Sequence, residues 1–146
     1  MSRYKERLLH EWQQHGKIII AVDFDDTLSP WALKTTEDLI QLDKTLNILK
    51  TAKQTGAYIT IWSACDKERF DYIRTYCNDR GLIIDSINEN PIPLPYGKDK
   101  KIYANIYIDD RAGLLEALSM LEEVMYKIRG ERASNLTLGE GAPFTT

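Results

Sequence analysis

The sequence predicts an α/β domain built on a mostly parallel central sheet. Short β-branched apolar runs alternate with stretches whose apolar residues recur at three- and four-residue spacing, the pattern of strands joined by crossover helices. The runs are continuously apolar, as strands buried on both faces are. Three of them finish in polar residues, Asp23, Ser63 and Asp109. In sheets of this kind ligands bind beyond the carboxyl ends of the strands.

In chain order, Tyr4, Leu8 and Trp12 share one helical face, so Ser2 to His15 reads as an amphipathic helix stopped by Gly16. Lys17 to Phe24 is a central strand. A helix from Thr36 to Thr55 carries Leu39, Leu42, Leu46 and Leu49 on one stripe and closes at Gly56. AYITIW is the second strand and leads into Ser63. A helix starting near Asp66 then turns Phe70, Ile73 and Cys77 inward before Gly81. LIIDSI is a short third strand, and Asn88 to Lys100, with Pro91, Pro93 and Pro95, is an exposed extended loop. Ile102 to Ile108 is the fourth strand. The last helix, Ala112 to Ile128, spaces Leu114, Leu118, Leu121, Met125 and Ile128 for burial and ends at Gly130. Residues 131–146 lack a period and read as a tail or short edge element. Residues 1–146 thus form one domain, with an N-terminal helix (1–16), a core (17–130) and a C-terminal tail (131–146).

Composition agrees with one globular unit: 146 residues, 43% hydrophobic and 28% charged. No apolar stretch approaches the roughly 18 residues of a membrane span, and Met1 to His10 is charged, so a cytoplasmic protein without a membrane partner is expected. The two cysteines, Cys65 and Cys77, form no CxxC pair, which argues against a zinc site or disulfide framework. A net charge of -3 argues against broad nucleic-acid binding, although Lys98, Lys100 and Lys101 make a local basic run.

Asp23 and Asp25 follow the first strand, and Asp109 and Asp110 follow the fourth. If those strands are neighbours, four carboxylates share one crevice. At about 4 Å and an effective dielectric of about 20, each like-charge pair costs roughly 4 kcal/mol, so the cluster calls for a cation or a shared proton.

Taken with Thr27, Ser63 and the lysines, the order VDFDDTL, ITIWS, GKDKK, IYIDDR resembles the haloacid dehalogenase (HAD) superfamily. Its four motifs are a strand ending DxDx[T/V], a strand ending in Ser or Thr, a lysine, and a strand ending in paired acids. The likeness covers about Lys17 to Leu115 and is nearest to small, nearly capless HAD-like hydrolases of bacteria and phages. It implies a Rossmannoid three-layer sandwich with a mostly parallel sheet and a minimal cap. It also implies a Mg²⁺-dependent phosphatase acting through an aspartyl-phosphate. Asp23 is then the nucleophile and Asp25 the proton carrier, while Thr27 and Ser63 bind phosphoryl oxygens. Asp23, the Asp25 backbone carbonyl, and Asp109 or Asp110 are the implied magnesium ligands. Lys101 is favoured as the charge-balancing lysine because it lies just before the fourth strand; Lys98 and Lys100 are the alternatives.

Other residues have plainer readings. Asp26 is a turn residue, Cys65 a small buried residue, Cys77 a core thiol, and His10 and His15 surface groups. Lys67 and Arg69 read as solvated at a helix start, although helix starts at this crevice can bind anions, and Arg111 as an ion-pair or helix-start residue or a substrate contact. Trp31 is balanced between covering the substrate and plugging the core. The expected substrate is a nucleotide or other small phosphorylated metabolite. An open site could instead take a nucleic-acid end or a phosphoprotein, and a non-catalytic binding module of the same fold is a third reading. An oligomer that roofs the site is compatible with the sequence, which does not specify one.

Overall fold

The computed structural model describes residues 2–91 and 102–141. Helix α1 (Arg3–His15) precedes strand β1 (Ile19–Val22), helix α2 (Thr36–Gln54) and strand β2 (Tyr58–Ile61). A 3-10 turn (Lys67–Arg69) leads into α3 (Phe70–Asp79), then β3 (Ser86–Ile87), β4 (Ile106–Ile108) and α4 (Leu114–Gly141). The four strands form one sheet in the order β3-β2-β1-β4, and every pairing is parallel. The fold is therefore α/β and Rossmann-like, with an all-parallel central sheet flanked by helices, as the alternation of elements predicts.

The chain moves outward from β1 to β2 to β3, then crosses back to place β4 on the other side of β1. The order reverses between β2 and β4, with β1 at the pivot. A crevice opens beyond the strand ends at such a point.

Local chemistry sets most element ends. Ser2 caps α1 by accepting the Lys5 N–H at 3.3 Å, and Gly16, at φ 74°, returns its N–H to the Trp12 carbonyl. Thr35 and Asp38 form a reciprocal capping box at the start of α2. Caps hold this first turn, and Leu39, read from spacing as a buried position, is 46% exposed. Tyr4, assigned to the inner face of α1, is likewise exposed, while Leu8 and Trp12 are buried. Both misassigned residues lie in the first turn of their helix, where burial has not begun.

One apolar row of the sheet, Ile20, Val22, Ile59, Ile61, Ile87, Ile106 and Ile108, joins a core with residues from all four helices. They include Trp12 of α1, Leu49 of α2, Ile73 of α3 and Leu121 of α4. Burial of this kind contributes roughly 1.5–3 kcal/mol per large side chain. The alternate row carries Ala21, Thr60, Ser86 and Tyr107, outside that core. There the Ser86 hydroxyl lies 2.8 Å from both Thr60 Oγ1 and the Glu89 carbonyl and accepts from Tyr58.

Two sequence expectations need correction. The last helix does not end at Gly130 but runs to Gly141, so the segment read as a tail is helical as far as it is described. A glycine inside a helix costs only about 1 kcal/mol, and tertiary contacts offset it. Gln13 donates to Glu131 at 2.7 Å, and Arg132 reaches back to the carbonyls of Thr55 and Gly16 at 2.7 and 3.0 Å. The fourth strand is also shorter than Ile102–Ile108. Before it, the Asn105 side chain accepts the Ile19 N–H at 2.7 Å and the Asn105 N–H donates to the Ile19 carbonyl, completing the ladder with a side chain. Of the loop read as Asn88–Lys100, only residues 88–91 are described, so Pro93 and Pro95 lie outside the described residues.

Candidate active site at the strand ends

The acids that follow β1 and β4 converge. One carboxylate oxygen from each of Asp23, Asp109 and Asp110 lies within 4.8 Å of the others, and all three residues are partly buried. The convergence follows from strand register. Val22 pairs with Ile108, and the Asp23 N–H continues the ladder to the Ile108 carbonyl at 2.9 Å. Asp23 and Asp109 thus leave adjacent strands side by side.

Thr27, fully buried, joins the two loops. Its Oγ1 lies 3.0 Å from Asp23 Oδ2 and 3.1 Å from Asp110 Oδ1, and it accepts the Asp110 N–H at 3.0 Å. A hydroxyl has one proton, so it can donate to only one of these carboxylates at a time. Burial, the hydrogen bond with Asp110 and the charge of Asp109 push the Asp23 carboxyl up to about 7, against the Thr27 hydroxyl, which pulls it down. A carboxyl so raised favours its protonated form, which relieves the crowding of like charges.

Oxygen-only donors at this spacing suit a hard divalent cation such as Mg²⁺, which prefers carboxylates and retained waters to nitrogen or sulfur. Asp23, Asp109 and Asp110 are the residues that would hold it. The Asp25 carboxylate is not in this cluster. It makes a bidentate pair with Arg69, Nη1 to Oδ2 at 2.7 Å and Nη2 to Oδ1 at 2.9 Å.

Ser63 is buried two residues past β2, and Asn88, just past β3, clamps its backbone. The Ser63 N–H donates to Asn88 Oδ1 at 2.9 Å and the Asn88 amide donates to the Ser63 carbonyl at 2.8 Å. Asn88 has φ 54°, a left-handed geometry that asparagine tolerates better than most residues. A cleft of about 390 Å³ lies beside the acids, lined by Asp23, Trp62, Ala64, Tyr107, Asp109 and Ala112. A larger groove of about 880 Å³ between α1 and α4 lies against Trp12, Tyr126 and Arg132, and among the described residues it contains no such cluster. Chemistry, not size, locates the site.

Asp26 is a turn residue, as read, and has a further function in the loop. At φ 61° its Oδ1 accepts three successive backbone N–H groups, those of Trp31, Ala32 and Leu33, at 2.8, 2.9 and 2.9 Å. Desolvation acts to raise its carboxyl, but these donors and the nearby Arg111 outweigh it and hold the carboxyl below its ordinary range. The loop so fixed presents Trp31, which is 63% exposed and therefore no core plug. Cys65 is partly buried and Cys77 fully buried, and burial pushes the Cys77 thiol up to about 11, as befits an inert core group.

Sequence reasoning missed Arg69 and Asn88. Arg69, which its place in the sequence puts among solvated charges, binds Asp25 and lies over the rings of Phe24, Trp31 and Tyr72. Asn88 carried a faint signal, as an Asn directly after a strand. Lys98, Lys100 and Lys101 lie outside the described residues.

No family model and no curated protein matches the chain. Among solved structures, a conserved protein from Bacteroides thetaiotaomicron is similar, with 26% identity and a TM-score of 0.58 over 73% of this chain and 91% of that one. The similarity supports the α/β fold. Among the described residues, no helix is long and apolar enough to cross a membrane.

Proposed function

We propose that this chain is a magnesium-dependent phosphatase that hydrolyses a phosphomonoester through a phosphorylated Asp23, in the manner of the HAD superfamily its motifs resemble. The observation that carries this reading is the meeting of Asp23, Asp109 and Asp110 at the ends of adjacent parallel strands, tied together by Thr27. Bound there, Mg²⁺ supplies charge neutralisation for a phosphate dianion.

The rest of the chemistry belongs to the protein. An Asp23 oxygen attacks phosphorus, the ester P–O bond breaks, and Asp25 gives its proton to the departing oxygen. Water then attacks the phosphorus of the acyl-phosphate, Asp25 takes the proton, and inorganic phosphate leaves. Thr27 and Ser63 are the hydroxyls assigned to phosphoryl oxygens, and the motif lysine, Lys101 with Lys98 and Lys100 as alternatives, balances charge. A small phosphorylated metabolite or nucleotide in the cytoplasm is the substrate class proposed.

One observation favours a wider entrance. Only residues 23–35 connect β1 to α2, without an inserted cap, and Trp31 is exposed in that loop. An open crevice of this kind admits the end of a nucleic acid or a phosphorylated protein segment. A screen of phosphate esters with Mg²⁺ tests both readings by released phosphate. Turnover that is lost with EDTA and with Asp23→Asn supports the proposal; undiminished turnover in Asp23→Asn overturns it.

A further inference from the structure

We infer that Arg69 is a positioning residue for Asp25, the guanidinium that fixes where the proton-carrying carboxylate stands; this rests on the phosphatase reading above. The pair uses both Arg69 terminal nitrogens and both Asp25 oxygens, with the two side chains 29% and 31% exposed. A bidentate fork selects one plane for the carboxylate, which a lysine point charge cannot do.

The fork is itself held. Its central carbon lies 5.5 Å from the Phe24 ring centroid, 5.3 Å from that of Trp31 and 5.7 Å from that of Tyr72. Phe24 is completely buried and meets Tyr72 and Tyr76 edge-on at 6.2 and 5.3 Å, so the stack is anchored in the core. Isolated surface ion pairs wander and contribute little, but this one is braced on three sides.

The bracing matters because Asp25 lies beyond the end of β1, in an isolated bridge to Ser29 and next to the left-handed Asp26, where no strand of the sheet fixes its side chain. A carboxylate has about four lone-pair directions. The fork takes two of them, leaving one on each oxygen, where the acid form carries the proton it gives the leaving oxygen and the base form receives the proton of the attacking water. A catalytic acid or base oriented by a third group is a recurring arrangement, and a misplacement of about 1 Å can cost about 100-fold in rate. Because Arg69 stands in the turn after β2, it also ties the Ser63 side of the crevice to the Asp23 side.

A brace that only stabilised the loops would use the same contacts, so the test separates the two roles. With p-nitrophenyl phosphate and Mg²⁺, Arg69→Met is expected to lower kcat by about 10- to 100-fold while KM stays within about threefold, and Arg69→Lys to recover part of kcat. Lys53→Met, which removes the remote ion pair to Asp85, is expected to leave kcat unchanged. Independently of turnover, the Tm of Asp25→Asn plus Arg69→Met is expected to fall short of the sum of the two single shifts. Additive shifts, or a wild-type kcat in folded Arg69→Met, overturn the inference alone. If the wild-type chain releases no phosphate from any ester, the phosphatase reading falls and the positioning role falls with it.

Discussion

Thr27 and Asp110 hold each other across 83 residues of chain, the Asp110 N–H donating to the Thr27 hydroxyl at 3.0 Å while that hydroxyl lies 3.1 Å from the Asp110 carboxylate. The side chain assigned to a phosphoryl oxygen is thus also the rivet between the loops after β1 and β4. Thr27→Val keeps the shape and removes the rivet, leaving a partly buried N–H unpaired. A loss of about 1–3 kcal/mol in stability is expected by urea titration, with Thr27→Ser near wild type. Activity is expected to follow the same order.

The raised Asp23 carboxyl gives the cation-free protein a defined pH dependence. The folded Asp23 carboxyl stands at about 7 against an ordinary value of 3.8, so the native chain binds a proton that the unfolded chain releases. Its contribution is complete below about pH 4 and is lost as pH rises through about 7. In EDTA, stability is expected to fall over that window, and the fall to vanish in Asp23→Asn. Mg²⁺ at pH 7.5 is expected to restore Tm, because binding to the folded state alone stabilises it. Thermal melts at stepped pH, with and without the ion, check each part.

Asp26 makes a different commitment. Asp26→Ala removes the acceptor of three backbone N–H groups and places an alanine at φ 61°. A loss of about 2–3 kcal/mol is expected in denaturant titrations, with Asp26→Asn milder because one oxygen remains. Acrylamide quenching of Trp31, measured with Trp12 and Trp62 replaced by Phe, is expected to rise as the loop loosens.

Much of this architecture was legible because it rests on local patterns. Ile18 to Val22 reads as a buried strand from composition alone, and Gly16 and Gly56 mark helix ends by their own chemistry. The acids were legible because each lies immediately after an apolar run. What was hidden depends on distance in space. Arg69 looks like any charged residue at a helix start until β2 and its turn bring it beside Asp25. Asn88 acquires its role only when β3 packs next to β2 and its amide meets the Ser63 backbone. The continuation of α4 through Gly130 is likewise set by Arg132 finding two carbonyls on other elements.

The return of the chain to place β4 against β1 has a consequence for folding. The β1-α2-β2-α3-β3 portion can assemble from near neighbours in sequence, whereas Ile108 must find Val22 across most of the chain. Contacts of that separation cost loop-closure entropy before they return any energy, which slows their formation. An intermediate lacking β4 would contain Asp23 but neither of its acidic neighbours. The cation affinity proposed for the three acids would therefore report on the docking of the last strand, and a refolding experiment timed by metal uptake would register completion of the sheet rather than its beginning.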